Sequence, residues 1–314
     1  MKKLSPAAVL FMTALSACAA SQDEHLLTHD NLRQDFDLSV YQKNLERKPN
    51  LTFSLDVEMD LLKELGEFDL GRFLLKNKGL NGYWTAYIIL HGPLEINLTP
   101  LETWFLHKAP TVRATQERFG IFKQQLSKYL KSEIILASVP CGLMDDLLGL
   151  DYAQCEDVKL VGIDLDGESL QFAQKNAQAH GINAVEFIKR DAWNLGVNAE
   201  YDVLTSNGLN IYQPNDEKVV ALYGEFYKAL KAGGIFITSF LTPPPVLSAE
   251  SPWNNYDPSD VLKQKAIFGD IIQVGWQAFR SESKTRDQLA QAGFTVLDVL
   301  YDSQGMFPTV VARK

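Results

Sequence analysis

The chain of 314 residues lacks the features that mark several protein classes. It has only three cysteines, Cys18, Cys141 and Cys155, and their spacing matches neither a metal site nor a disulfide framework. Basic residues are outnumbered, with 30 Lys and Arg against 39 Asp and Glu and a net charge of −9. After residue 20, no apolar run reaches the roughly 18 residues that span a bilayer. The composition therefore indicates a globular protein with reduced thiols and no metal, and it disfavours nucleic acid as a partner.

The first 18 residues have two interpretations. Two lysines, an apolar run and the tetrapeptide Leu15-Ser16-Ala17-Cys18 resemble a bacterial lipoprotein signal, whose cysteine is lipidated after cleavage. In the second interpretation Ser5 is a helix N-cap, and Pro6 is the first residue of a helix that the protein retains. These residues alone leave both interpretations open.

The chain divides near residue 132 into parts with different patterns. Residues 1–131 are predicted to be a helical subdomain, because residues 55–79 place apolar side chains near helical spacing. Thr99, Pro100 and Glu102 mark the start of a further helix, as in a capping box. In residues 132–314, short apolar strands alternate with amphipathic segments, which predicts a parallel sheet covered on both faces. The last two strands, in FTVLDVLYD and FPTVVARK, are predicted to form a hairpin.

Polar residues and a glycine turn follow the predicted strands, at the edge where open α/β sheets bind their ligands. The first strand ends in Ser138-Val139-Pro140-Cys141-Gly142, and the second ends at Asp164. About twenty residues separate Gly142 from Asp164, the spacing at which an acidic side chain meets ribose hydroxyls. The third strand ends at Asp191, and the fourth in Ser206-Asn207-Gly208-Leu209-Asn210. Taken singly, either aspartate is also explained as a helix cap, and the asparagines as turn residues.

Residues 132–314 resemble the class I S-adenosylmethionine-dependent methyltransferases. The loop Val139-Pro140-Cys141-Gly142 resembles a PCG variant of the glycine-rich first motif, GIDLDGESL resembles the second motif, and YDVLTSNGLNIY resembles the fourth-strand motif. The resemblance implies an α/β, Rossmann-like fold, whose seven-stranded sheet is mostly parallel and ends in an antiparallel hairpin. It also implies S-adenosylmethionine as the cofactor.

The resemblance assigns roles to single residues. Gly142 would let the backbone approach the methionine part of the cofactor, and Asp164 would hold the ribose hydroxyls. Leu165 would flank the adenine, while the Asp191 carboxylate and the Ala192 amide would bind it. The cofactor-binding residues implied by these motifs are Ser138, Val139, Pro140, Gly142, Asp164, Leu165, Asp191, Ala192, Ser206 and Asn207.

The motifs depart from the family pattern at three places. Ser138 stands where the first motif usually begins with an acid, and Met144 stands at the usual last glycine. The fourth strand lacks the Asn-Pro-Pro-aromatic signature of enzymes that methylate exocyclic amines. This last difference again disfavours nucleic acid as the methyl acceptor.

The helical subdomain and an insert at about residues 242–280 supply material to close the site. Tyr83 and Arg118 of the subdomain are predicted to bind the cofactor, because an aromatic face attracts a sulfonium and an arginine binds a carboxylate. A surface salt bridge explains Arg118 equally well. The aromatic residues of the insert either suit an apolar or planar acceptor or pack the insert down; they are Trp253, Tyr256, Phe268 and Trp276.

These observations favour one of three functions. The expected function is a bacterial, cytoplasmic methyltransferase that acts on a small molecule, with no catalytic residue or oligomeric state assigned. A nicotinamide-dependent oxidoreductase is less favoured, because the chain lacks G-x-G-x-x-G. The third alternative is a non-catalytic nucleotide-binding module or a lipoprotein anchored at Cys18. Since export would separate a methyltransferase from its cofactor supply, we expect residues 1–18 to be retained and no membrane partner.

Overall fold

A computed structural model describes residues 37–274 and 277–314. The interpretations of Ser5, Pro6 and Cys18 lie outside the described residues, as does Trp276. In the described ranges, no helix is both long enough and apolar enough to cross a bilayer.

The part of the chain before the sheet is helical. Its α-helices are α1 (Leu38–Arg47), α2 (Leu55–Leu65), α3 (Asp69–Asn77), α4 (Gly82–Ala86), α5 (Pro100–His107) and α6 (Pro110–Ser127). A π-helical turn, Tyr87–His91, and a 3₁₀ turn, Gly92–Leu94, connect α4 to α5. The predicted cap of α5 is confirmed, because Thr99 Oγ1 accepts a hydrogen bond from the Glu102 amide at 3.2 Å.

Seven strands form one sheet, as predicted. They are β1 (Ile135–Ser138), β2 (Lys159–Asp164), β3 (Val185–Lys189), β4 (Tyr201–Ser206), β5 (Leu230–Ser239), β6 (Thr295–Leu300) and β7 (Thr309–Arg313). Their order is β3-β2-β1-β4-β5-β7-β6, with β1 to β5 parallel and β7 antiparallel to both β5 and β6. The mostly parallel Rossmann-like sheet and its C-terminal hairpin are therefore confirmed.

Helices cover both faces of the sheet. They are α7 (Asp145–Leu148), α8 (Gly167–Ala179), α9 (Asp216–Ala229) and α11 (Glu282–Gln291). Neighbouring side chains of β5 separate the two cores: Phe236 packs with Phe226 of α9, whereas Ile237 shares a core with Phe122 of α6. Helix α7 is shorter than the segment MDDLLGLDYA suggests, because the chain turns after Gly149 and Asp151 Oδ1 accepts from the Ala153 amide.

The insert after β5 packs on the helical part of the chain. It contains α10 (Pro258–Lys265) and a π-helical turn, Ala266–Ile272. Ile267 and Ile271 of this turn share one buried cluster with Leu62 of α2 and Phe105 of α5. We call helices α1 to α5 together with residues 258–272 the cap, since they form one apolar core distinct from the two cores of the sheet.

Candidate cofactor site

The turn after β1 is tied to the end of β2. Gly142 adopts a left-handed conformation, with φ of +51°, which glycine reaches without steric cost. Its amide donates a hydrogen bond to Asp164 Oδ2 at 2.9 Å, and the Cys141 amide donates to the Ile163 carbonyl. The Val139–Pro140 peptide bond is cis. The glycine turn and the second-motif carboxylate, identified separately in the sequence, are therefore direct neighbours.

Asp164 is half-buried and retains hydrogen-bonding capacity. Its Oδ2 accepts from Gly142 and its Oδ1 accepts from the Asp166 amide at 3.0 Å. Burial raises the pKa of this carboxyl, and the hydrogen bonds that it accepts from backbone amides oppose that effect. A carboxylate has about four lone-pair positions, so two remain for the hydroxyls of a ribose. Leu165 beside it is 36% exposed, as expected of a side chain that flanks an adenine.

Asp191 lies one strand further along the same edge. It caps the 3₁₀ turn Ala192–Asn194, because its Oδ1 accepts from the Trp193 amide at 3.0 Å. Its side chain is nevertheless exposed, and Ala192 is buried behind it. The order β3-β2-β1 places Asp191, Asp164 and Gly142 side by side, a set of groups that fits an adenosine with a methionine-like extension.

Helix α4 of the cap closes on the glycine turn. A Cβ on Gly82 would lie 2.9 Å from Gly142 Cα and 3.1 Å from Ser169 Oγ, so only glycine permits this approach. The next residue, Tyr83, packs on Phe172 of α8, with ring centroids 5.7 Å apart, and stays 43% exposed. The structure thus brings Tyr83 beside the turn, where the sequence predicted a contact with the cofactor.

A carboxylate from another position lies beside Ser138, which stands in place of the usual acid of the first motif. Asp146 of α7 accepts from Ser138 Oγ at 3.0 Å and from Thr205 Oγ1 at 2.7 Å. Asp146 is 6% exposed, and burial raises the pKa of its carboxyl. Sequence reasoning missed this residue. Its signal was an acid eight residues after the serine rather than within the motif, and only packing reveals the pairing.

Met144 keeps the backbone conformation of the glycine that the family usually has there. Its φ is +62°, in the left-handed region, and its side chain is fully buried beneath β2. Cys141 is also buried, and burial raises the pKa of its thiol well above the usual range. A small buried residue, not a nucleophile, is therefore the better description of Cys141.

The fourth-strand motif and Arg118 lie on the other half of the sheet edge. Asn207 Oδ1 accepts from Ser239 Oγ at 3.2 Å, and Ser239 in turn accepts from Arg118 Nη1 at 3.3 Å. The Ser206 carbonyl accepts from Thr238 Oγ1 at 2.8 Å. Arg118 is only 5% exposed, so its explanation as a surface salt bridge is wrong. The described residues contain no cluster of three His, Cys, Asp or Glu side chains able to hold a metal ion.

Comparisons with known proteins agree with this geometry. A family model described as a methyltransferase domain matches residues 122–277, about half of the chain. The chain belongs to the class I S-adenosylmethionine-dependent methyltransferases. Its cofactor is S-adenosylmethionine, and the residues around Gly142, Asp164 and Asp191 fit this molecule. The family match also favours a methyltransferase over a nicotinamide-dependent oxidoreductase.

Individual relatives of this methyltransferase differ in how much of it they match. A crystal structure of a "possible exported protein" from Bordetella parapertussis is 40% identical, with a TM-score of 0.84 over 99% of both chains. Magnesium protoporphyrin IX methyltransferase from Synechocystis PCC 6803, solved with bound S-adenosylmethionine, is 14% identical. The match covers 79% of this chain and 98% of that one, with a TM-score of 0.51. At this identity the match shows the fold alone.

One curated relative matches a shorter stretch. A ribosomal protein L11 methyltransferase from Dictyoglomus turgidum is 29% identical over 116 residues. The match covers 37% of this chain and only 36% of that relative. It therefore concerns the part of the fold that methyltransferases share.

Proposed function

We propose that the protein transfers the methyl group of S-adenosylmethionine to a small organic acceptor. The observation that carries the proposal is the hydrogen bond from the Gly142 amide to the Asp164 carboxylate, beneath helix α4. Asp164 would hold the ribose, Asp191 and Ala192 the adenine, and the glycine turn the methionine part. When bound, the cofactor supplies a methyl group already activated by its sulfonium, so the protein contributes mainly position and exclusion of water.

The cap supports a small acceptor. Its helix α4 approaches the glycine turn at the carboxyl edge of the sheet, and its core includes residues of the insert. We take this cover over the turn as support for a small acceptor rather than a macromolecule. A cavity of about 250 Å³ is lined by Leu51, which precedes α2, and by residues of the insert that include Trp253 and Tyr256. Phe268 instead packs on Phe105 at 5.6 Å. Packing of the insert therefore accounts for Phe268, whereas Trp253 and Tyr256 line an apolar cavity.

The net charge of −9 also supports a small acceptor, because a nucleic acid would be repelled by an acidic protein. We include the cytoplasm in the proposal, since S-adenosylmethionine is made there and an exported enzyme would be separated from it. The description of the Bordetella relative as possibly exported concerns that protein and makes the compartment worth testing.

The decisive experiment incubates the protein with S-adenosylmethionine labelled on the methyl carbon and a host extract separated into small molecules and macromolecules. We expect label in the small-molecule fraction, and its loss in the Asp164→Ala variant. Transfer to ribosomal or other protein, or to RNA, would instead establish a macromolecular acceptor. Calorimetry with S-adenosylhomocysteine tests cofactor binding separately from the acceptor.

A further inference from the structure

A buried arginine lies at the half of the sheet edge away from Asp164 and Asp191. The guanidinium of Arg118 lies over the Phe307 ring, 4.9 Å from its centroid, and reaches Ser239 at the end of β5. Its Nε is buried and has no hydrogen-bond partner. Arg118 comes from α6, and burial lowers its pKa to about 10, so it is charged at neutral pH.

The charge of Arg118 has no ion-pair partner in the part of the chain that the structure describes. Asp302 is the nearest acid that acts on it, but its oxygens accept from the amides of Gln304, Met306 and Phe307. Burial raises the pKa of the neighbouring Tyr212 phenol, which is therefore neutral. A buried guanidinium without a counter-ion is costly, and a protein keeps one where a ligand supplies the anion.

The position of Arg118 indicates which ligand this is. Gly142, Asp164 and Asp191 follow β1, β2 and β3, whereas Ser239 follows β5, two strands from β1 on the opposite side. At about 4.8 Å per strand, the end of β5 is about 10 Å along the sheet from the end of β1, on the side away from Asp164 and Asp191. Asn207 of the fourth-strand motif, which borders the acceptor in this family, connects to it through Ser239.

We infer that Arg118 binds an acid group of the methyl acceptor, and that the acceptor is therefore an organic anion such as a carboxylic acid. This inference rests on the proposed function. It replaces the predicted contact between Arg118 and the carboxylate of the cofactor. A carboxylate accepts from Nε and Nη together, the geometry that distinguishes arginine from lysine. The Phe307 ring lies beside the guanidinium, 4.9 Å from its carbon to the ring centroid.

Calorimetry on protein saturated with S-adenosylhomocysteine tests the inference without an activity assay. The probes are benzoate, 1-naphthoate and decanoate, each compared with its uncharged amide. We expect wild-type protein to bind at least one acid about tenfold or more tightly than its amide. Arg118→Met should abolish this preference, and Arg118→Lys should reduce it. Arg113→Met is the matched control, because Arg113 is exposed on the same helix and should leave the preference intact.

Two further measurements separate the alternatives. Arg118→Met should leave the Kd for S-adenosylhomocysteine unchanged. The Tm of this variant should be unchanged or raised, because the substitution removes an unpaired buried charge. A loss of S-adenosylhomocysteine binding in this variant would assign Arg118 to the cofactor and overturn the inference. Equal binding of all acids and amides by wild-type protein would also overturn it. Failure of wild-type protein to bind S-adenosylhomocysteine would instead contradict the proposed function.

Discussion

At the residue scale, Asp164 is not the helix cap that the sequence offered as an alternative to ligand binding. Its oxygens hold the backbone of the glycine turn and of the α8 entrance, and each oxygen still has a lone pair for a ligand. The helix cap itself is Asp166, which accepts from the Glu168 and Ser169 amides. Asp166 therefore caps α8, and Asp164, two residues earlier, is available for the ribose contact that we propose.

This division leads to a matched pair of variants. Asp164→Ala removes a charge-assisted contact worth on the order of 1.5–3 kcal/mol, so it should weaken S-adenosylhomocysteine binding about tenfold to a hundredfold. Asp166→Ala should lower the free energy of unfolding by about 1 kcal/mol while changing the affinity little. Calorimetry and thermal denaturation measure the two effects. Unchanged affinity in Asp164→Ala would remove this residue from the site.

Two opposing energies determine how the replacement of Met144 by glycine affects stability. A left-handed backbone costs a residue with a side chain about 1–2 kcal/mol, whereas truncation of a buried methionine costs about 2–5 kcal/mol. We therefore expect Met144→Gly to lower the free energy of unfolding by roughly 1–3 kcal/mol in urea denaturation. Cofactor affinity should stay the same or tighten, because the backbone of the turn is kept. A large loss of affinity would show that the methionine forms part of the pocket wall.

At the element scale, the contact between α4 and the glycine turn determines how closely the cap approaches the cofactor site. Gly82→Ala would place a methyl group 2.9 Å from Gly142 Cα and force the two segments apart. We expect weaker S-adenosylhomocysteine binding and a lower Tm. Gly120→Ala on α6 is the control, since nothing lies within 4 Å of its Cβ, and it should stabilise the helix by about 0.5–1 kcal/mol. Equal affinities in both variants would show that this approach does not matter for binding.

A second contact between elements joins α2 to the insert through two acids. Glu58 is fully buried, and its Oε1 accepts from the Phe53 amide at 3.0 Å. Asp270 of the insert accepts from the Thr52 amide at 2.9 Å and pairs with Lys48 at 2.8 Å. Burial, followed by the charge of Asp270, raises the pKa of Glu58 to about 7, whereas the pairing with Lys48 and Thr52 keeps the pKa of Asp270 low.

The raised pKa of Glu58 makes the stability of the fold depend on pH. The folded protein holds a proton that the unfolded chain releases above pH 4.5, so the free energy of unfolding should fall as pH rises from about 4.5 to about 7. Glu58→Gln mimics the protonated form and should remove most of this decline. Asp60→Asn, an exposed acid on the same helix, should not. Urea titrations at pH 5, 6, 7 and 8 measure the free energy of unfolding of each protein. The same pH dependence in wild type and in Glu58→Gln would contradict the assignment.

At the scale of the whole molecule, the cap and the sheet share one long helix. Helix α6 carries Val112 in the core of the cap and Phe122 in the core beneath the sheet. Arg118 lies between them, at the level of the strand ends. The position of the cap over the site therefore follows from a single rigid element rather than from a linker.

The cellular compartment is a property of the whole protein that mass spectrometry can test. We expect a full-length, soluble product when the protein is expressed in its own host, because S-adenosylmethionine is made in the cytoplasm. Intact mass and cell fractionation measure this directly. A product that begins at a diacylated Cys18 in the membrane fraction would contradict the cytoplasmic assignment and weaken the case for catalysis.

The sequence alone determined the elements of this protein and the residues at their ends. The seven strands, the hairpin, the Thr99 cap and the positions of Gly142, Asp164 and Asp191 follow from patterns within single segments, because periodicity and turn chemistry are local. The link between Gly142 and Asp164 was accessible too, since parallel strands end at a common edge.

Which distant residues meet depends on tertiary packing. Asp146 joins Ser138 and Thr205, and Arg118 reaches Ser239 across 121 residues of chain. The shared core of Ile271 with Leu62 and Phe105 belongs to the same class of contact. No local pattern encodes these meetings, because each depends on how the helices and the sheet pack together. That packing is what buries the charge of Arg118 without an ion-pair partner among the described residues.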